Sequence, residues 1–245
     1  MRPVPVALQL WSLREAVQAD FARAVADVAA MGFAGVETAG FGDLDAAGAA
    51  RAVTAAGLKC AGMHVGLEAL RADLGRVVEE AQLCGTRHVI CPAGPRDRLN
   101  SGAGFAAFGR ELDEIGGRLR AAGLEFHYHN HGFDLVRCEG RPGLDWLLDA
   151  ARPGHLGCEA DVHWLQSAGV EPVGFIRAQG CRIRLLHLRD DAGIGAGPVD
   201  FPAVFAAVDA VGALEWQVLE VEKHDGPPLA SVRRALDQLH AWGRG

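Results

Sequence analysis

The chain has 245 residues, 49% hydrophobic and 22% charged, with a formal net charge of −7. That length and apolar share suffice for one large core. The acidic balance offers no basic face of the kind a phosphate backbone requires, so a nucleic-acid partner is not expected. No apolar run approaches the ~20 residues that a membrane helix needs, and no membrane partner is expected. The opening MRPVPVALQLWSL has neither a basic cluster nor a small-residue cleavage site and reads as a first strand, not a signal peptide. Six cysteines (Cys60, Cys84, Cys91, Cys138, Cys158, Cys181) lie scattered without a CxxC pair. They read as reduced core thiols, which favours the cytoplasm.

Short apolar runs then alternate with helix-like stretches along the whole sequence. Strands are predicted at 4–10, 34–38, 59–64, 87–91, 124–129, 156–161, 183–187 and 216–221. Helices are predicted at 18–31, 43–56, 68–84, 104–122, 142–151, 171–179, 201–210 and 228–242. Gly32, Gly57, Gly85 and Gly123 separate a helix from the next strand, where a left-handed residue ends a helix. Eight strands alternating with eight helices predict a parallel sheet closed on itself. The expected fold is α/β: a single (β/α)8 TIM barrel domain covering 1–245. A doubly wound open sheet is the rival, but no strand runs into a G-x-G-x-x-G turn. The GIGAG run at 193–197 leads to Pro198 and reads as a flexible loop.

Alternation within the strands supports closure. Glu125, His127, His129 and His131 share one face of the fifth strand; Phe126 and Tyr128 share the other. Gly157, Glu159 and Asp161 alternate with Leu156, Cys158 and Ala160, and Glu220 and Glu222 alternate with Leu219 and Val221. The polar set is expected to face the axis and the apolar set the helices. Gln9 and Glu37 follow the same pattern on the first two strands.

His129, His131, Asp161, His187 and Glu220 lie at or just past the ends of these strands, which is where the reactive rim of such a barrel lies. A divalent ion (Mn, Mg, Co or Zn) wants this mixture of carboxylate oxygen and imidazole nitrogen, with open positions for substrate. Asp161, His187 and Glu220 are three candidate ligands; His129 or, failing that, His131 is the fourth. One such ion could chelate adjacent oxygens of a hydroxy-ketone and stabilise the enediolate left when a neighbouring proton departs. A nearby carboxylate or imidazole would act as base.

The segments at these strand ends resemble the sugar phosphate isomerase/epimerase family, the xylose isomerase-like barrels. HYHNHGFDL is similar to the Tyr-His-Asn-His signature of one branch, ADVHW to its Asp-x-x-Trp segment and LLHLRDD to a His-Leu-Lys-Asp segment. WQVLEVE resembles the strand end that carries a metal-binding Glu, and QLWSLRE the opening Gln-Leu-Tyr-Ser-Leu-Arg. The resemblance implies a metal held by Asp161, His187, Glu220 and, at a position that is Glu in many relatives, His129. It implies catalytic roles for Glu220, His131, Asp134 and His64; Asp134 stands where the branch often has Glu. It further implies substrate contacts from Glu37 and His64. Arg189 replaces a frequent Lys; its guanidinium stays protonated and suits anchoring a substrate oxygen.

Each residue also has a plainer reading. Asp161 could cap the following turn through Trp164, His187 could be a satisfied strand-end histidine, and Glu220 could pair with Lys223 or Arg189. His88, His155 and His240 read as structural or surface residues. Trp11 and Trp164 could stack on a sugar ring, while Trp146 suits the core. His163 is placed with the substrate contacts, and a base role is open to it and to Glu159. The expected activity is isomerisation, epimerisation or dehydration of a sugar, keto-sugar or cyclitol. The alternatives are a metal phosphodiesterase of the nuclease branch of this barrel and a non-catalytic sugar-binding barrel. A homo-oligomer is compatible with all three.

Overall fold

The computed structural model describes residues 4–245; residues 1–3, the start of the expected 1–245 domain, lie outside the described residues. Eight parallel strands close into a barrel in chain order. They are β1 (Val6–Gln9), β2 (Gly35–Thr38), β3 (Lys59–His64), β4 (His88–Cys91), β5 (Glu125–His129), β6 (Gly157–Asp161), β7 (Leu185–Leu188) and β8 (Trp216–Leu219). Closure is made by β1, which pairs β2 through Leu8↔Val36 and β8 through Leu8↔Leu219. All eight predicted strands are present, with ends displaced by no more than two residues.

The helices are α1 (Arg14–Ala19), α2 (Phe21–Ala30), α3 (Ala46–Ala55), α4 (Leu67–Ala72), α5 (Leu74–Cys84), α6 (Gly102–Ala121), α7 (Gly143–Asp149), α8 (Val162–Ser167), α9 (Pro172–Gln179), α10 (Phe201–Val211) and α11 (Pro228–Ala241). The helix α6 shows how the coat is built. Ser101 caps it by accepting from the Gly104 amide at 3.2 Å, and Phe105, Phe108, Leu112, Ile115 and Leu119 bury one face. Phe108 meets Tyr128 of β5 edge-on, with ring centroids 5.8 Å apart. Phe126 and Tyr128 thus face the helices, as alternation predicts.

Besides α8, which falls between two predicted elements, three local features differ from expectation. The helices predicted at 18–31 and 68–84 are each broken in two, at Asp20 and Asp73. Both aspartates take extended backbone (φ −162 and φ −153) and accept from the amide three residues on. A short carboxylate that competes for a backbone amide restarts a helix rather than continuing it. The third is a small hairpin, Arg137–Cys138 with Arg141–Pro142, inside the β5–α7 connection. Its two-residue turn places Glu139 at φ 48 and Gly140 at φ 86, the geometry such hairpins demand.

Inside the barrel one extra residue in β3, Ala61, shifts the register: Val36 pairs Cys60 while Glu37 pairs Gly62. Gly62 leaves the axis open. A Cβ there would lie 2.6 Å from Ile90 Cδ1 and 2.8 Å from Glu37 Oε2. Among the described residues, no helix is long and apolar enough to cross a membrane.

Candidate metal centre

Asp161 ends β6 and caps α8, a helix the sequence reading did not anticipate. Its Oδ1 accepts from the Trp164 amide at 3.0 Å, while Oδ2 is buried with no hydrogen-bond partner. Capping and a free oxygen therefore coexist in one side chain. On β7, His187 Nε2 donates to Glu37 Oε1 at 2.9 Å. That leaves Nδ1, without a hydrogen-bond partner, 3.4 Å from Glu220 Oε2 just past β8. One ligand atom each from Asp161, His187 and Glu220 lie within 4.8 Å of one another. A carboxylate that holds one ring nitrogen and turns the other toward acidic oxygens is how metal-binding imidazoles are oriented.

A deeper layer supports this triad. Gln9 Nε2 donates to Glu37 Oε1 at 2.6 Å. His64 Nε2 lies 2.9 Å from Glu159 Oε2 and 3.1 Å from Glu37 Oε1, and His129 Nδ1 lies 3.2 Å from Glu159 Oε2. Burial opposes a charge on His64, but Glu37 and Glu159 overcome it and push the imidazole up to about 9. His187 is likewise held well above its ordinary range, burial being outweighed by Glu159, Glu220 and Glu37. Burial lifts Glu159 to about 7, with Glu37 adding to the effect, and lifts Asp161 to about 7 as well. Glu37 stays well below the carboxylate range because His64 and His187 outweigh its burial. Four carboxylates crowd around two cationic imidazoles, whose protons a divalent ion would replace while countering the same acidic charge. The unpartnered Asp161 Oδ2 and His187 Nδ1 fit a divalent cation in chemistry and position.

The chain matches the sequence profile of the xylose isomerase-like TIM barrel family over residues 25–242. It belongs to that family. No curated protein matches it in sequence. In three dimensions it is similar to a sugar phosphate isomerase/epimerase from Parabacteroides distasonis, with 22% identity, coverage of 97% of this chain and 98% of that one, and a TM-score of 0.87. It is also similar to a probable 3-DHS dehydratase from Bacillus anthracis (14% identity, coverage 96% and 98%, TM-score 0.78). A third likeness is to a D-allulose 3-epimerase from Methylomonas sp. in complex with D-allulose (15% identity, coverage 98% of each chain, TM-score 0.69). At these identities the likeness is one of fold.

The remaining candidates of this xylose isomerase-like barrel fall into distinct places. His131 sits just past β5, stacked on Phe133 with centroids 5.3 Å apart and 5.8 Å from Trp164; burial pushes it down to about 4. Asp134 is turned away from the triad: it accepts from the Tyr128 hydroxyl at 2.7 Å and from the His131 amide at 2.8 Å. Arg189 lies 4.7 Å over the Trp164 ring and is engaged by Asp191 at 2.9 Å and Glu222 at 2.6 Å. His163 Nε2 is 3.5 Å from Asp191 Oδ1. Trp11 stands on the turn after β1, 46% exposed. Glu159, to which a base role was left open, and Gln9, noted only for its alternation with apolar neighbours, both belong to the network.

Proposed function

We propose that this chain is a metal-dependent isomerase or epimerase of the Tyr-His-Asn-His branch, acting beside the carbonyl of a sugar, keto-sugar or cyclitol, with dehydration as the variant outcome. The observation that carries this reading is the pair of buried, unpartnered atoms Asp161 Oδ2 and His187 Nδ1 facing Glu220. Asp161, His187 and Glu220 would hold the ion, with His129 as the fourth ligand from β5. Bound there, a divalent ion polarises a carbonyl and acidifies the adjacent C–H.

The protein residues supply the rest. Glu37, itself braced by Gln9, fixes the His187 tautomer. His131, uncharged at neutral pH and partly open to the rim, can take the proton from the substrate carbon. His64, charged and bridged between Glu37 and Glu159, holds a proton that can be returned to an oxygen. The exposed Trp11 offers a flat apolar face to a sugar ring, and Arg189, packed over the Trp164 ring, lines the same rim. Asp134 holds the turn that aims His131 and does not touch the reacting atoms.

The test is solvent exchange. Mn2+-reconstituted protein in heavy water should place deuterium next to the carbonyl of at least one keto-sugar in a panel, and Asp161→Ala should abolish it. A fully metal-loaded protein that exchanges no proton with any member of the panel would sink the proposal.

A further inference from the structure

A second cluster of imidazole and carboxylate lies at the opposite, N-terminal mouth, where β4 and β5 begin. His88 Nε2 donates to Glu215 Oε2 at 3.2 Å. Its Nδ1 therefore accepts a hydrogen bond from His127 Nε2–H at 3.0 Å, and a bound ion would take the place of that shared proton. Glu125 Oε2 is 4.0 Å from both of those nitrogens. These three ligand atoms lie within 4.8 Å of one another. In a tetrahedral site with bonds of ~2.0–2.2 Å, neighbouring ligand atoms stand roughly 3.3–3.5 Å apart. Parting the nitrogens and drawing in the carboxylate, each by about half an ångström, gives three corners of that tetrahedron.

The surroundings are built around these rings. Both histidines are buried. Gly157 on the neighbouring strand clears the space: a Cβ there would lie 2.4 Å from His127 Nδ1, an atom with no hydrogen-bond partner of its own. A cavity of about 510 Å³ touches Glu125 and His127, and another of about 300 Å³ touches His88 and Glu215. They give an ion a way in and a water a fourth coordination position. The Glu215 carboxylate behind His88 repeats the orienting role that Glu37 has behind His187.

We infer that His88 Nδ1, His127 Nε2 and Glu125 Oε2 form a second cation site, selective for a nitrogen-seeking divalent ion such as Zn2+, that ties β4 to β5. Selectivity follows from charge. Arg87 Nε is 3.5 Å from Glu125 Oε1 and Arg184 Nε 3.7 Å from Glu125 Oε2, and both arginines also reach Glu215. With the carboxylates already countered, binding depends on the two imidazole bonds, which suit Zn2+ and not Mg2+. The N-terminal face of such a barrel serves stability, so the ion there is structural.

The test uses the full chain, stripped with a chelator and titrated calorimetrically with Zn2+, and with Co2+ read by its visible absorption. In a His129→Ala/His187→Ala background, which leaves neither ligand cluster of the C-terminal mouth more than two members, one equivalent of Zn2+ should still bind. Adding Glu125→Gln, a half-buried position that leaves the fold intact, should weaken it at least tenfold and alter the Co2+ spectrum; His127→Gln should abolish it. No Zn2+ bound in the double variant, or unchanged affinity after Glu125→Gln, would overturn the inference. Neither result depends on whether the C-terminal mouth binds metal.

Discussion

At the C-terminal mouth, Glu37, Glu159, Asp161 and Glu220 surround His64, His129 and His187, with a single guanidinium, Arg189, acting on Asp161 and Glu220. At the N-terminal mouth, Glu125 and Glu215 face His88 and His127, but two arginines share them. The residue types are the same and the charge balance is not. At the C-terminal mouth the carboxylates are countered largely by imidazolium groups, whose protons an incoming divalent ion can replace; at the N-terminal mouth permanently charged guanidinium groups hold the carboxylates, and only imidazole lone pairs remain to select an ion. Strand direction separates the two ends further, because loops that leave the C-terminal ends can shape a substrate pocket and the opposite end cannot draw on them.

The largest expected effect comes from Asp161→Ala. Mn2+ affinity at the C-terminal mouth should fall by more than the ~100-fold typical of losing an outer-shell partner. The barrel should stay folded by circular dichroism: losing the cap on α8 costs about 1 kcal/mol, and removing a buried unpartnered carboxylate offsets part of it. Unchanged Mn2+ affinity would remove the contrast between the two mouths. Glu37→Gln comes next. It touches no proposed ion directly, yet without a full charge to hold His187 Nε2–H, Mn2+ affinity should drop about 10–100-fold. Zn2+ bound at the N-terminal mouth should not respond, and calorimetry on the two ions reads both effects.

The barrel was legible in the sequence because apolar runs recur eight times, four of them after a glycine stop, and because strand alternation fixes which side chains point inward. The triad Asp161, His187 and Glu220 was legible because each closes or follows a strand, and the structure brings them together. What the sequence concealed depends on distance through the barrel. Glu37 and His187 are 150 positions apart and 2.9 Å apart in space. Glu37 was expected to touch substrate and is instead fully buried behind a histidine. His88 looked like any strand-start histidine, since its partners come from elsewhere: Glu215 from the connection before β8 and His127 from β5. Asp134 misled differently: its position suggested chemistry, but a local amide and the Tyr128 hydroxyl occupy its oxygens. Short-range capping is invisible to a reading organised by strand ends.

A smaller effect sharpens the comparison from the other side. Gly157→Ala places a methyl 2.4 Å from His127 Nδ1 and 2.9 Å from the Arg182 carbonyl oxygen. Overpacking of this kind costs about 1–3 kcal/mol, which urea unfolding would show. The displaced ring should also lose Zn2+ at the N-terminal mouth while Mn2+ binding at the other end persists. Loss of both ions together would mean that the two mouths are one coupled unit.

Acidification gives the mildest test, and its sign differs between the ends. Burial has lifted Asp161 to about 7, so below that pH the carboxyl holds a proton that an incoming ion must displace. The raised imidazole of His187 must also give up a proton, so Mn2+ affinity should fall by more than tenfold per pH unit as pH drops below about 7, with up to two protons released on binding. The raised carboxyl also means that the metal-free protein loses stability as pH rises from the ordinary carboxylate range toward 7, the reverse of a salt-bridged aspartate. At the N-terminal mouth the hydrogen bond from His88 holds Glu215 down to about 2, and burial together with His88 keeps His127 well below the usual imidazole range. His127, unlike Asp161 at the other end, takes up no proton over that interval, so Zn2+ measured in the His129→Ala/His187→Ala background should show the shallower slope. Parallel slopes at the two ends would mean that the arginines do not set the N-terminal cluster apart.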